Sequence, residues 1–444
     1  MKKSVATYTL GCRVNQYETD AILDLFKEGG YIIKNFDEYA DVYVINTCTV
    51  TSLSDRKSRQ IIRRAKKNNK NSVVVAVGCY AQAKPDEVSK IDGVDIVVGN
   101  NEKSRIVEHV ENYMKDKEKK SFVCDIMRVK EYDNLKLSST GDRTRAFVKI
   151  QDGCNNFCSY CIIPYVRGPV RSKDPKLLIK EIEDLAMAGY KEVVLTGIHA
   201  ASYGKDLGNI DLVDLVYEVY KIEGIERIRF GSLEPKIIDE RFIKMFHDLS
   251  SKVCNHLHIS LQSGCDETLK RMNRKYKALE YKTSVELLRD NVPGILISTD
   301  VIVGFPQETD EEFRETYEFL KEINFYKIHV FKYSKRDGTS ASKMSGQVLD
   351  SVKEKRSEDL IRLSNSGTIK YNRECVGTRV DVLVEKMRAD GYYEGLTSNY
   401  IRILIESDVK LLRGEIYNVH LKKLDNDGII GCITKSGEEV LYGK

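Results

Sequence analysis

The chain has 444 residues, 41% hydrophobic and 31% charged, with only seven prolines and a formal net charge of +4. Such a composition excludes a disordered chain and supplies enough apolar mass for several cores, two to four domains by length. No apolar run of about 18 residues occurs, which argues against a membrane-spanning helix. The near balance of 71 basic against 67 acidic residues carries no global sign of a polyanionic partner.

In chain order, the opening MKKSVATYTLGC has lysines but no apolar stretch of signal-peptide length after them, and is expected to form the first strand of a cytoplasmic protein. Strands are expected at 4–10, 42–47, 73–78 and 95–98, with helices near 16–28, 53–69, 86–91 and 103–115. This alternation predicts an α/β domain with a parallel sheet over residues 1–120. Residues 121–140 are polar and mixed and read as a connector. A second βα series follows, with strands at 146–150, 192–196, 227–231, 256–261, 297–303 and 327–332. Six units are too few for a closed eight-stranded barrel, so residues 140–340 are expected to form an open, partial (β/α)6 barrel with its site at the carboxyl ends of the strands. A charged helix is expected over 348–374. Short alternating strands with Gly and Asn turns then predict a small β-barrel over 376–444.

Eleven cysteines without an export signal point away from a disulfide scaffold. Cys124, Cys254, Cys265, Cys375 and Cys432 read as small buried hydrophobes. The other six form two constellations. CNNFCSYC places Cys154, Cys158 and Cys161 in one loop directly after a strand. Structural zinc sites want four protein ligands, usually as two separated pairs, and no histidine lies nearby. A trio leaves one position open, which favours a four-iron cluster with one iron free to bind a small molecule. Cys12, Cys48 and Cys79 lie 36 and 31 residues apart. Each follows a predicted parallel strand (YTLGC, VINTC, VAVGC), so one edge of the sheet gathers all three.

CNNFCSYC resembles the signature of the radical S-adenosylmethionine superfamily. TLGCRVNQYET, NTCTV and VGCYAQ resemble the amino-terminal domain of the methylthiotransferases, and the terminal barrel resembles their TRAM domain, an RNA-binding module. TLGCRVNQYET is nearest to the branch acting on N6-threonylcarbamoyladenosine in tRNA, where the isopentenyladenosine branch reads nearer to YGCQMN and the ribosomal-protein branch nearer to LGCxKN. The resemblance implies two 4Fe-4S clusters. Cys154, Cys158 and Cys161 would hold the one that binds S-adenosylmethionine; Cys12, Cys48 and Cys79 would hold an auxiliary cluster used in sulfur transfer. It implies reductive cleavage of S-adenosylmethionine to a 5′-deoxyadenosyl radical that attacks C2 of the adenine at position 37, next to the anticodon, with a second S-adenosylmethionine supplying the methyl group. The implied partners are the tRNA anticodon stem-loop, an external electron donor and an unspecified sulfur donor; a monomer without a membrane anchor is the expectation. Alternatives are methylthiolation of a ribosomal-protein side chain and a non-catalytic iron–sulfur RNA-binding protein.

Residues at successive strand ends are expected to line the cofactor pocket: Gly197, Ser232 and Glu234, Gln262 and Ser263, and Val303, Gly304 and Pro306. Arg274 offers a fork for the cofactor carboxylate. Phe157 and Tyr160 either shield the cluster or pack the loop. In YSKRDGTSA, Lys335 and Asp337 stand where relatives usually carry proline, predicting a less preorganised loop, while Tyr333 and Arg336 are kept. The stretch 56–70 carries eight basic residues and no acidic one, and is expected to contact tRNA phosphates together with Arg167 and Arg171. Tyr392, Tyr393 and Tyr400 are candidates to stack on bases or to fill the small barrel, whose charges nearly balance.

Overall fold

The computed structural model describes residues 2–138, 143–426 and 428–433. The last predicted stretch of the small barrel, 434–444, and the end of the connector, 139–140, lie outside the described residues.

The first unit is a six-stranded parallel sheet of β1 (Ser4–Thr9), β2 (Ile32–Lys34), β3 (Val42–Thr47), β4 (Val73–Gly78), β5 (Ile96–Val98) and β6 (Lys120–Phe122), in the order β2-β1-β3-β4-β5-β6. Every residue of β3 and β4 is buried, as continuous apolar runs between two helical layers should be. Tyr43, Ile45, Val74 and Ala76 pack on one face, and Val42, Val44, Val73 and Val75 on the other. The edge strands β2 and β6, three residues each, carry too little apolar pattern to be read from sequence.

The second unit has two four-stranded sheets. One contains β7 (Arg145–Asp152), β8 (Arg171–Ser172), β9 (Glu192–Gly197) and β10 (Arg227–Phe230), in the order β10-β9-β7-β8. The other runs β11 (Ser232–Leu233), β12 (His256–Ile259), β13 (Leu296–Val303) and β14 (Lys327–Lys332). Apart from the antiparallel edge strand β8, the pairing is parallel, and all six predicted strands are present. Ala146, Val148, Ile150, Val193, Leu195, Ile228, Leu257, Ile259, Ile297 and Val301 share the main core. By strand alternation, Arg145, Lys149, Glu192, Arg229, His258 and Asp300 occupy the opposite face, which is strongly charged.

The expected connector is more than a tether. Leu135 and Leu137 are buried in the main core, and the Leu135 carbonyl accepts from Tyr17 Oη at 2.7 Å, joining the first unit to the second.

A helix, Asp350–Cys375, leads to a closed barrel of β15 (Arg379–Met387), β16 (Tyr393–Thr397), β17 (Arg402–Glu406), β18 (Ile416–Asp425) and β19 (Gly428–Cys432). Two buried arginines of β10 dock it. Arg227 donates to the carbonyls of Leu396 (2.9 Å) and Asp381 (2.7 Å), and Arg229 to those of Ser398 (2.9 Å) and Thr397 (3.2 Å). Glu192 behind them pairs with Arg229 at 2.7 Å. Among the described residues, no helix is long and apolar enough to cross a membrane.

Candidate active site and its two cysteine trios

Each cysteine of the first trio leaves the carboxyl end of a neighbouring strand, and glycine makes two of the exits possible. Gly11 has φ +105°, and a Cβ there would lie 3.1 Å from Cys48 Sγ; Gly78 has φ +93°, and a Cβ would meet Asn46 Oδ1 at 2.3 Å. Asn15 sews the ends together, donating to the carbonyls of Leu10 (2.7 Å) and Thr47 (3.2 Å), while Asn46 donates to the Asn15 carbonyl at 2.9 Å. Burial pushes the Cys48 thiol up, and its neighbours Cys79 and Cys12 push it further. Cys12 is exposed; Cys48 and Cys79 are buried.

The second trio occupies the loop after β7. Gly153 at φ +73° turns the chain so tightly that a Cβ would fall 1.8 Å from the Pro169 carbonyl oxygen, so no other residue fits. Cys154 N donates to the Gly168 carbonyl (3.0 Å), Cys161 N to that of Cys158 (2.9 Å), and Ser159 is pinned by Met272 and Ala341. Phe157 adopts φ +47°, stays partly exposed and meets Tyr165 edge-on, whereas Tyr160 packs against the cluster of Met272, Phe305, Tyr333 and Ala341. Burial, reinforced by Cys158, raises Cys154 to about 11 and Cys161 to about 12.

The two trios share one feature. An arginine whose side chain is shielded from solvent donates to one sulfur of each: Arg167 Nε to Cys79 Sγ and Arg274 Nη1 to Cys158 Sγ, both at 3.3 Å. Such N–H···S contacts suit sulfur that carries negative charge, as a metal-bound thiolate does, so the donor sets fit iron–sulfur ligation. Among the described residues, no group of three or more His, Cys, Asp or Glu side chains is arranged to hold a metal ion.

The predicted pocket residues separate into two groups. Glu234 is a hub: it accepts from Asn156 Nδ2 at 2.8 Å and pairs with His199 at 3.0 Å and with Arg274 at 3.0 Å. Burial opposes its ionisation, but His199 and Arg274 prevail and hold its carboxyl at about 2. A cavity of about 670 Å³ opens here, lined by Asn156, His199, Tyr203, Glu234, Lys236 and Lys275 among others. Ser232 is exposed at the same strand end. The others make contacts within the protein. The space a Cβ of Gly197 would enter holds the Gln151 side chain, which braces the Asp152–Gly153 turn. Gln262 bridges to β13 through its backbone at φ +77°, and the Ser263 hydroxyl meets Thr316. Val303 and Pro306 are buried, and Gly304 N donates to Glu308, which Arg356 holds. His199 and Asn156 were not singled out from sequence; their positions, two residues past Gly197 and inside the cysteine loop, were the available signal.

One expectation about charge needs correction, and two others, on the basic run and the tyrosines, are narrowed. Arg167 and Arg171 are 0% and 2% exposed, so neither reaches a phosphate; burial beside carboxylates claims both. In the basic run, Arg59, Arg64 and Lys66 pair with Glu87, Asp37 and Asp95, which leaves Arg56, Lys57, Arg63, Lys67 and Lys70 as exposed cations. Tyr400 is half-buried, stacked on His256 at 4.8 Å under Arg229 and Arg145 at the docking interface. Tyr393 packs on the barrel core and Tyr392 donates to Glu406. Arg336 of YSKRDGTSA reaches the first unit, pairing with Asp55 at 2.7 Å and donating to Thr49 beside Cys48.

Residues 148–320 match the family described as the radical SAM superfamily, and residues 4–99 match the uncharacterized protein family UPF0004. Over 95% of this chain and 94% of its own length, a protein of Bacillus subtilis (strain 168) named threonylcarbamoyladenosine tRNA methylthiotransferase MtaB is 44% identical. A protein of Aquifex aeolicus (strain VF5) with the same name is also 44% identical, over 90% of this chain and 96% of its own. Among solved structures, the radical S-adenosylmethionine methyltransferase TsrM from Kitasatospora setae superposes with a TM-score of 0.54 over 75% of each chain at 14% identity, a likeness of fold. The chain therefore belongs to the radical SAM superfamily and, within it, to the family of the threonylcarbamoyladenosine tRNA methylthiotransferases.

Proposed function

We propose that the protein adds a methylthio group to C2 of N6-threonylcarbamoyladenosine at position 37 of tRNA, with Cys154, Cys158 and Cys161 holding one 4Fe-4S cluster and Cys12, Cys48 and Cys79 a second. The observation that carries this reading is the 44% identity to a methylthiotransferase across 95% of the chain, with the family matches over 4–99 and 148–320 covering both trios. Relatives named for tRNA substrates disfavour the ribosomal-protein and non-catalytic alternatives. When bound, the clusters and S-adenosylmethionine supply one-electron cleavage, sulfur and methyl transfer, chemistry that side chains cannot provide at an aromatic C–H.

The residues' own tasks are binding and placement. Gly153 sets the turn that presents the Cys154 loop, and Arg274 supports the Cys158 sulfur. Glu234, ionised at neutral pH, ties Asn156 of that loop to His199 and Arg274. The exposed cations Arg56, Lys57, Arg63, Lys67 and Lys70 are suited to tRNA phosphates, and an external donor supplies electrons. In this reading 1–120, 140–340 and 376–444 are the auxiliary-cluster, radical-SAM and RNA-binding units.

The test is nucleoside mass spectrometry. Reconstituted protein with S-adenosylmethionine, a sulfide source and reductant should convert N6-threonylcarbamoyladenosine in modification-deficient tRNA to its 2-methylthio form. Formation of 5′-deoxyadenosine without any methylthio nucleoside would refute the substrate assignment. Cys154→Ala should abolish both products.

A further inference from the structure

Arg167 follows the second trio in sequence, yet its guanidinium lies beside the first. Nε donates to Cys79 Sγ (3.3 Å), Nη1 to Glu18 (2.5 Å) and Asp152 (3.2 Å), and Nη2 to Asn15 (2.6 Å) and Glu18 (3.2 Å). Behind it, Lys103 pairs with Glu18 at 2.5 Å, and Lys149 with Glu18 at 2.8 Å and Asp152 at 2.6 Å. All five charged groups are essentially inaccessible to solvent.

The charges of this network do not cancel. Three cations, Arg167, Lys103 and Lys149, face two carboxylates, Glu18 and Asp152. Arg171, 3.9 Å from Asp152, adds to the excess. A buried charge is kept only where something opposes it. The one direction in which the Arg167 fork points at no carboxylate or amide is toward Cys79. Three thiolates outweigh the charge of an oxidised four-iron cube, so a loaded trio is a net anion at that spot. Without Arg167, the cations Lys103, Lys149 and Arg171 still face Glu18 and Asp152, so carboxylate pairing alone does not require the arginine.

We propose that Arg167 is a positioning residue for the auxiliary cluster: it is the buried counter-charge of the loaded Cys12, Cys48 and Cys79 trio, orients the Cys79 sulfur and raises the cluster's reduction potential. Because Arg167 and Asp152 flank the second trio in sequence, one charge network braces both sites. The proposal rests on the assignment of a cluster to the first trio.

The experiment uses the full chain with Cys154, Cys158 and Cys161 replaced by alanine, so that one trio remains. Reconstituted samples carrying Arg167, Arg167→Lys or Arg167→Met are compared by iron content, by dithionite titration followed by electron paramagnetic resonance, and by melting of the metal-free form. The Arg167 sample should hold about four irons per chain. Arg167→Met should lose iron or shift the potential to more negative values, Arg167→Lys should recover part of the loss, and metal-free Arg167→Met should melt no lower than its parent. No iron in the Arg167 sample would overturn the cluster assignment and the proposal with it. Full loading at an unchanged potential in Arg167→Met would overturn the proposal alone. So would a collapse of the metal-free Arg167→Met melting point, which marks a purely structural arginine.

Discussion

Replacing Arg229 with methionine should release the small carboxyl-terminal barrel. The change deletes two charged hydrogen bonds to the Ser398 and Thr397 carbonyls and leaves Glu192, fully buried, with Arg227 at 3.7 Å and the field of Arg145. Charged hydrogen bonds contribute about 1.5–3 kcal/mol each, and stranding one member of a buried ion pair costs about 3–5 kcal/mol. These costs overlap, so the docking equilibrium should weaken by about 3–5 kcal/mol, roughly two to four orders of magnitude. Cys254 is a built-in reporter: it is 1% exposed within the field of Arg229 and Glu192 of the docking interface, and burial raises its thiol to about 11. Alkylation of Cys254, followed by peptide mass spectrometry, should accelerate by about two orders of magnitude or more in Arg229→Met. Cys265, buried elsewhere, is the control. Adding Glu192→Gln should restore about tenfold or more of the protection, because it removes the stranded charge. A Cys254 rate within about threefold of the parent would refute the claim that these arginines hold the barrel.

Other outcomes follow from the same geometry. Glu192 is held below the ordinary glutamate value of 4.5: burial opposes ionisation, but Arg229, Arg145 and Arg227 outweigh it. A depressed carboxyl stabilises above its unfolded value, so barrel docking should be level from pH 6 to 8 and weaken progressively as pH falls below about 4.5 and through the lower value of the docked state, as read by Cys254 alkylation with a pH-tolerant reagent. Gly78→Ala should cost about 1–3 kcal/mol through its positive φ and the clash with Asn46, measured by chemical denaturation, and should lower iron at the first trio. Arg63→Glu with Lys67→Glu should weaken tRNA binding and flatten its salt dependence by about one slope unit for each phosphate interaction removed, seen in binding titrations across salt concentrations.

The strands were legible because they are apolar runs of the right length between turn residues, and the cysteine trios because strand ends of one sheet share an edge. What escaped the sequence was the interior polarity. A charged residue reads as surface by default, so Arg167 and Arg171 were assigned to RNA, whereas carboxylates from distant segments, Glu18 and Asp152, draw them inside. Tyr400 escaped for the same reason: its partners His256, Arg229 and Arg145 come from three other strands. In the pocket, Glu234 stood out as a strand-end carboxylate, but its companions His199 and Asn156 become visible only once three loops are brought together.

The path of Arg167 also orders events during synthesis. Amino-terminal segments emerge first and begin to fold while the rest of the chain is still being made. At that stage the sheet over 4–122 can gather Cys12, Cys48 and Cys79, yet of the cations that surround Glu18 only Lys103 has left the ribosome. Lys149 and Arg167 follow later and close the pocket from the other half of the molecule. On the proposed cluster assignment, iron delivered to the nascent sheet would therefore meet an unfinished cage, and a truncated chain ending before Arg167 would be a poor acceptor for it.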